Sequence, residues 1–202
     1  MLRQSIAVLL CGFLSIPLAA TAPSSSDDQR TIDAIRKSLL RLPSYGVFDF
    51  LAFRYDEGVV TLSGFAYALG LEKDAVNAVR RVSGVDEVSN EIVRLPPSPG
   101  DDRIRWATFY RIYNDAFLSR YAPGGGAPIW HHRRFLLTRF PGMQLFGTYP
   151  IHIVVRNGRT LLVGTVDRDS DKTVAGFRAR EVPGTFGVVN ELVVPDAEPR
   201  KP

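Results

Sequence analysis

The stretch VSNEIV at residues 88–93 returns as VVNELV at residues 188–193, 100 positions further along the chain. The repetition extends without a gap over residues 51–94 and 151–194, where 11 of 44 aligned pairs are identical. Composition alone would give far fewer identities, and self-similarity at a fixed spacing is the signature of a duplicated structural unit. We therefore expect the chain to contain two copies of one small domain.

The identical pairs fall where backbone geometry restricts the choice of residue. Gly58 follows Asp-Glu, and Gly158 follows Arg-Asn, so both predict tight hairpin turns with a positive φ angle. A later glycine in each copy predicts the end of a helix. The shared structural motif consists of Gly58, Gly64, Gly84 and Asn90 in the first copy and Gly158, Gly164, Gly184 and Asn190 in the second.

Each copy reads as helix, strand, strand, helix, strand. In the first copy, DDQRTIDAIRKSLLRLP predicts a helix with Ile32, Ile35 and Leu39 facing the core, and residues 49–56 and 58–66 predict a hairpin. A second helix over about 71–82 leads into the last strand. The counterpart of the first helix is DDRIRWATFYRIY, in which Trp106 and Phe109 match Ile32 and Ile35.

This order predicts an α+β fold with two α-β-β-α-β modules. Each module has a three-stranded mixed sheet with both helices on one face, because the strand-helix-strand crossover is right-handed. The other face of each sheet would lack a cover, and its side chains would determine what this face can bind. We expect a first domain at 27–95, a proline-rich linker at 96–100, a second domain at 101–195 with an insertion at about 114–149, and a polar tail at 196–202.

Residues 1–22 read as a cleavable export signal. Arg3 precedes the apolar run from Ile6 to Leu14, and Ala20-Thr21-Ala22 offers a small-x-small cleavage site. The run is shorter than the roughly 20 residues of a membrane-spanning helix, and no later segment comes close, so we expect no transmembrane span in the mature chain. Cys11, the one cysteine, follows Leu10 instead of a small residue, so lipidation is not expected. These features predict a periplasmic protein that is soluble or peripheral to a membrane.

Both copies resemble BON domains, the small modules of bacterial envelope and osmotic-stress proteins. The resemblance is carried by EGVVTLSGFA and VSGVDEVSNEIV in the first copy and by NGRTLLVGTV and VPGTFGVVNELVV in the second. It implies an exported, non-enzymatic protein that contributes to envelope integrity or osmotic stress tolerance. Related proteins bind anionic phospholipid or partner proteins at the envelope, so the resemblance implies these two alternatives here.

The charge is distributed unevenly along the chain. The formal net charge is +4, yet Ala116 to Val166 contains no aspartate or glutamate. Such a segment favours an anionic partner surface. Nucleic acid is not expected as a partner, because export removes the usual target and the basic excess is small. The arginines inside this segment are Arg120, Arg133, Arg134, Arg139, Arg156 and Arg159.

No sequence motif indicates catalysis or a cofactor. PGGGAP at 123–128 lacks the Gly-Lys-Ser/Thr ending of a phosphate-binding loop, and no Gly-x-Ser-x-Gly elbow occurs. The three histidines are His131, His132 and His152, and adjacent histidines usually point apart, so no metal site is expected. We therefore predict a binding protein without catalytic residues, metal or cofactor.

Two places suggest a contact surface for a membrane or a partner. Residues 128–150 combine aromatic residues and arginines without an acid, which suits a membrane interface, although the same apolar groups could cap the second sheet or pack against the first module. Phe177 takes the position of Asn77: either the helix is rotated to bury it, or it stands exposed beside basic residues. The candidate contact residues are Trp130, Arg133, Arg134, Arg139, Phe140, Phe177 and Arg178.

Overall fold

The computed structural model describes residues 26–122 and 149–195. The predicted export signal with Cys11, most of the predicted insertion and the polar tail lie outside these ranges. Within them, the chain forms two modules with the same order of elements, and the predicted α+β class is confirmed.

The first module contains two helices and three strands in the predicted order. A helix comes first, a hairpin follows, and a shorter helix leads into the last strand. The bounds are α1 Ser26–Leu40, β1 Phe50–Asp56, β2 Val59–Ala66, α2 Leu71–Val79 and β3 Glu87–Arg94.

The second module begins inside the predicted linker, because its first helix starts at Pro99. Proline suits a first helical position, where no N–H donor is needed, and the Ser98 hydroxyl accepts the Asp101 N–H at 3.2 Å as the helix cap. The bounds are α3 Pro99–Tyr113, a 3₁₀ turn Ser119–Tyr121, β4 Ile151–Arg156, β5 Arg159–Thr165, α4 Asp169–Arg180 and β6 Gly187–Val193.

The two sheets share one topology and one register. In each, the central strand pairs antiparallel with the strand before it and parallel with the last strand. Leu51 lies opposite Gly64 in the first sheet, and Ile151 lies opposite Gly164 in the second. The pairings therefore coincide at the spacing of 100 residues that the sequence repeat predicts.

Both helices of the first module pack on the same sheet face. Ile35 and Leu39 of α1 share a core cluster with Val60 and Leu62 of β2 and with two residues of α2. Ile32, predicted to face this core, is only half-buried. Its neighbour Thr31 is buried instead, and the Thr31 hydroxyl donates to the Ser83 carbonyl at 3.3 Å. The apolar periodicity therefore placed the inward face of α1 about one residue away from its true centre.

The second core is larger than the first, because α3 buries more of its residues than α1 does. Phe109 and Ile112 of α3 join Leu162 and Leu192 of the sheet, and Trp106 is half-buried against this cluster. Residues of the first module also contribute to it, which the sequence did not predict. The two modules therefore share part of a hydrophobic core.

Gly64 near the end of β2 and Gly164 near the end of β5 permit a close approach to the preceding strand. Gly64 has φ +122°, and a Cβ atom there would overlap the carbonyl oxygen of Phe50. Gly164 has φ +130°, and a Cβ atom there would overlap the carbonyl oxygen of Pro150. Both positions thus exclude a side chain twice, by backbone conformation and by lack of space. This explains why both copies retain glycine there.

The remaining motif residues close turns and connect strands. Gly58 and Gly158 take positive φ angles in the hairpin turns, as predicted, and Glu57 and Asn157 before them do so as well. Gly84 and Gly184 take φ +85° and +86° in the turns that follow α2 and α4.

The two asparagines bond locally. The side-chain oxygen of Asn90 accepts the Ile92 N–H at 3.1 Å, and that of Asn190 accepts the Leu192 N–H at 3.4 Å. The Asn190 amide also donates to the Lys172 carbonyl at 2.7 Å, which joins β6 to α4. In the second module, this residue therefore helps to fix the helix on the sheet.

We predict that Gly64→Ala lowers the free energy of unfolding by about 3 kcal/mol or more, since it adds a clash with backbone to an unfavourable φ. Gly70→Ala is the matched control in the same module: Gly70 has φ +83° but open space around its Cα atom, so about 1 kcal/mol is expected. Urea unfolding of both variants measures the difference. Equal losses would contradict the steric explanation.

Candidate contact surfaces and the junction between the modules

Phe177 lies on the outer side of α4 and is 55% exposed, so the expectation that the helix rotates to bury it is wrong. The helix instead turns Ala175, Gly176 and Ala179 towards the sheet. A Cβ atom at Gly176 would lie 2.7 Å from the side-chain nitrogen of Asn190, so the small residue allows this amide to reach the helix. The bond from Asn190 therefore fixes the rotation of α4 and leaves Phe177 outside.

Arg178 connects α4 to the turn that follows α3. Its Nε atom donates to the Asp115 carboxylate at 2.7 Å, and its Nη1 atom donates to Glu181 at 3.2 Å. The bond to Asp115 is the main cause that raises the pKa of the Arg178 guanidinium above its usual value. The guanidinium carbon also lies 5.9 Å from the centre of the Phe177 ring. The predicted pair of an exposed aromatic and a basic neighbour is therefore present.

A second exposed aromatic ring stands beside this pair. The Asp115 carboxylate that holds Arg178 also accepts the Phe117 N–H at 2.8 Å, and the Phe117 side chain is 65% exposed. Phe117 and Arg178 line a shallow cavity of about 350 Å³ together with Tyr110 and Asn114. We name Phe117, Phe177 and Arg178 the phenylalanine surface. Sequence analysis missed Phe117, because it lies in the insertion and has no counterpart in the first copy.

The phenylalanine surface carries balanced charge. Arg178 is paired with Asp115 and Glu181, and Arg111 also contacts Glu181 at 3.2 Å. Two arginines thus face two carboxylates. An anionic partner would therefore be attracted to the rings of this surface only if other basic residues supplied the excess charge.

The chain is anchored on both sides of residues 123–148. Before them, the Tyr121 hydroxyl donates to Asp171 at 2.8 Å and accepts the Asp167 N–H at 2.7 Å, while Arg120 pairs with Asp171. After them, Tyr149 is buried in the second core. The insertion therefore leaves and rejoins the body of the second module at fixed points. The candidate residues Trp130, Arg133, Arg134, Arg139 and Phe140 lie outside the described residues.

Residues 45–49 of the first module cover the edge of the second sheet. The Ile153 N–H of β4 donates to the Val47 carbonyl at 2.8 Å. Phe48 inserts its ring between the modules, with its centre 5.2 Å from that of Trp106 and 6.2 Å from that of Phe109. An edge strand otherwise exposes unpaired backbone groups, and this loop supplies partners for some of them. We name this contact the junction.

Two buried charged residues hold the junction in shape. The Asp49 carboxylate accepts the backbone N–H groups of Gly46, Tyr67 and Ala68 at 2.7–3.0 Å, and burial raises its pKa despite these bonds. Arg105 of α3 is fully buried, donates to the Val155 carbonyl at 2.5 Å and lies over the Tyr67 ring at 4.4 Å. Each uses its charge to bond backbone groups of loops or strands at the contact.

His152 of β4 is buried at the centre of the junction. Its Nδ1 atom lies 3.3 Å from the Gly46 carbonyl, which can only accept, so Nδ1 carries the proton. Nε2 then accepts from the Tyr45 hydroxyl at 3.3 Å, and the two rings stack with centres 5.1 Å apart. Burial lowers the pKa of His152 to about 4, because a charged imidazole would lose its hydration there. The folded contact therefore requires the neutral ring.

Residues 26–122 and 149–195 contain neither a metal-binding cluster nor a membrane-spanning helix. In these ranges, no three side chains of His, Cys, Asp or Glu converge where they could hold a metal ion. No helix in these ranges is both long and apolar enough to span a bilayer.

Comparison with protein families gives one clear match. The profile of the BON domain matches residues 27–96 and 136–196, which together make up more than half of the chain. No curated protein matches the chain.

Among solved structures, CdsD, a structural protein of the type III secretion system of Chlamydia trachomatis, matches at 16% identity over 82% of this chain and 92% of that one, with a TM-score of 0.26. A structure of the CdsD C-terminal domain matches at 15% identity over 81% and 96%, with a TM-score of 0.25. Scores this low support no argument about this chain.

We predict an acid-dependent loss of stability that depends on His152. The ordinary histidine pKa is 6.5 and the folded value is about 4, so between these values the unfolded chain binds a proton that the folded chain lacks. The free energy of unfolding should therefore fall, by on the order of 3 kcal/mol, as the pH falls through this window. Urea unfolding at a series of pH values measures the fall.

The control for this prediction is His152→Asn, which keeps a side-chain N–H donor but does not titrate. Groups other than His152 titrate alike in both proteins, so the difference between the two curves isolates the histidine. The variant should show a shallower fall on the acid side. Parallel curves between pH 4 and 6.5 would show that His152 is not buried as described.

Proposed function

Because the chain belongs to the BON domain family, whose members generally act as non-catalytic binding modules of the cell envelope, we propose that it binds anionic phospholipid surfaces. The observation that supports this most is the phenylalanine surface, where Phe117 of the insertion and Phe177 of α4 are both more than half exposed. Exposed rings next to a basic segment are typical of proteins that bind at a membrane interface.

The magnitudes indicate that rings and arginines must act together. Burying a phenylalanine side chain contributes about 1.5–3 kcal/mol when complete, so two half-exposed rings give roughly 2–3 kcal/mol. A dissociation constant of 1 mM already requires about 4 kcal/mol. Each arginine near an anionic leaflet adds about 1 kcal/mol. Arg133, Arg134 and Arg139 of the acid-free segment from Ala116 to Val166 would supply the attraction that the charge-balanced phenylalanine surface lacks.

The same proposal includes the location of the protein. Residues 1–22 would direct export to the periplasm and be removed, so the mature chain would meet a membrane as a peripheral protein. Binding there would contribute to envelope integrity or to tolerance of osmotic stress. The proposal needs no enzymatic step and no cofactor.

We predict that Phe117→Ser and Phe177→Ser together reduce flotation with vesicles of phosphatidylglycerol and phosphatidylcholine by at least about fivefold, since roughly 2 kcal/mol of ring burial is lost. The matched control is Phe186→Ser. Phe186 is 81% exposed but lies near Gly100 and Ile104 at the opposite end of α3. Flotation through a density gradient measures the bound fraction.

Wild-type protein should float with the anionic vesicles and remain in solution with pure phosphatidylcholine. Failure to float with either vesicle at low salt would remove the lipid claim. An equal loss in Phe186→Ser would show that general surface hydrophobicity, and not the phenylalanine surface, drives the binding.

We predict that Arg133→Glu with Arg134→Glu weakens vesicle binding and flattens its dependence on salt, because exposed charges are screened over about 10 Å at 0.1 M salt. The matched control is Arg80→Glu with Arg81→Glu, an adjacent arginine pair exposed in the first module. Flotation from low to high salt measures the slope. Equal slopes for the two double variants would contradict a role of the insertion.

A further inference from the structure

A second apolar surface lies on the sheet face away from the helices. Val154, Leu161 and Val189 are paired across β4, β5 and β6, so their side chains form one row on this face. Phe65 of the first sheet lines the same recess, which has a volume of about 360 Å³. We name it the open-sheet groove. It lies between the modules because the junction brings the first sheet beside the second.

The apolar row continues beyond the groove. Val189 is 51% exposed, and Val193, four residues along the same strand and on the same face beyond Glu191, is 60% exposed. Exposed apolar groups that lie close together on one face commonly mark an interaction site in a soluble protein. The helical side of the first module shows no comparable row among the described residues, where its most exposed large apolar groups are Leu40 and Leu69.

The groove has a charged end. Arg156 and Arg159 are paired across the β4–β5 hairpin and both line the groove. Within residues 26–122 and 149–195, no carboxylate forms an ion pair with either of them. Glu191 lies further along the face, opposite Val163. The groove therefore has a positive end at the hairpin and a negative group towards the other end.

We propose that the open-sheet groove binds an extended apolar segment of a partner protein, with a carboxylate of that segment between Arg156 and Arg159. Along β4 and β5, the arginine pair lies two residues from Val154 and Leu161 on the same face. An extended chain that follows the strands places alternate side chains on one side, which suits an apolar position followed by a cationic one. A volume of about 360 Å³ holds a few side chains and not a folded domain.

A protein segment fits this groove better than the other available occupants. Val154 is only 3% exposed and Phe65 of the other module lines the same recess, so a narrow segment fits this groove better than a flat bilayer does. Residues 123–148 of this chain contain arginines and no acid, so they cannot neutralise Arg156 and Arg159. This site is separate from the phenylalanine surface and goes beyond the proposed lipid binding.

The test is selection of a phage-displayed library of random linear octapeptides on the full chain. We expect the selected peptides to be enriched in aspartate or glutamate next to alternating apolar residues. Synthetic copies of them should bind in fluorescence polarisation. Arg156→Glu with Arg159→Glu should raise their Kd at least tenfold, as truncation of a central charged contact commonly does.

Two variants separate binding from folding. Val189→Asp should abolish peptide binding, and Val189→Thr, which keeps a β-branched side chain of similar size in the strand, should weaken it several-fold without loss of structure. Arg80→Glu with Arg81→Glu, far from the groove in sequence and on the first module, should leave the Kd unchanged.

Several results would overturn the proposal. They are a selection that enriches no peptides, a selection without acidic residues, and peptides that bind the Arg156→Glu, Arg159→Glu protein as tightly as wild type. The same double variant should float with anionic vesicles like wild type. If the double variant no longer floats and no peptide binds the wild type, the groove belongs to the membrane contact instead. The flotation of the Phe117→Ser, Phe177→Ser variant tests the proposed lipid binding separately from the groove.

Discussion

The hydrogen bond from the Ile153 N–H to the Val47 carbonyl marks the constraint on which the arrangement of this protein depends: an edge strand of one module is covered by a loop of the other. Asp49 holds this loop in shape, because its buried carboxylate accepts three backbone N–H groups. Once docked, it makes the first module part of the second core. The two uncovered sheet faces then adjoin along the open-sheet groove, and the phenylalanine surface remains at the far end of α3. Two different contact chemistries thus occupy separate parts of one small protein.

The sequence repeat carried enough information for the fold but little for the junction. Glycines at 64 and 164 face carbonyl oxygens of the neighbouring strand, so geometry retains them in both copies and the repeat reveals them. Residues 45–49 have neither a period nor a counterpart in the second copy, so no pattern indicated that they would cover β4. Arg105 occurs in a helix among other charged residues and pairs with Asp102 three residues earlier, as an exposed arginine could. Its full burial depends on a distant carbonyl and a tyrosine ring, which the sequence did not indicate.

The sequence indicated which residues of α4 could form a contact surface, but not which way they point. Phe177 and Arg178 were singled out by charge and aromatic content, yet the orientation of Phe177 depends on the small face of α4 and on the amide of Asn190. A helix with few large apolar residues has a weak periodicity, so its rotation cannot be read from hydrophobicity. The row of Val154, Leu161 and Val189 becomes visible only when three strands are placed in register. Such surfaces can be identified only from the tertiary structure, whereas the duplicated fold can be predicted from the sequence.

The anchoring of the insertion has an evolutionary and practical consequence. Tyr121 is bonded to Asp171 and Asp167, and Tyr149 is packed in the core, so the described frame is held at both points where the residues between them leave and rejoin it. Loop-closure entropy grows slowly, by roughly 0.6 kcal/mol for each doubling of length, so many lengths should be tolerated at this place. Natural variation could therefore retune recognition here while thermal stability stays nearly constant. For the same reason, residues 123–135, which precede the second BON match, are a suitable position for grafting a foreign epitope or a reporter peptide.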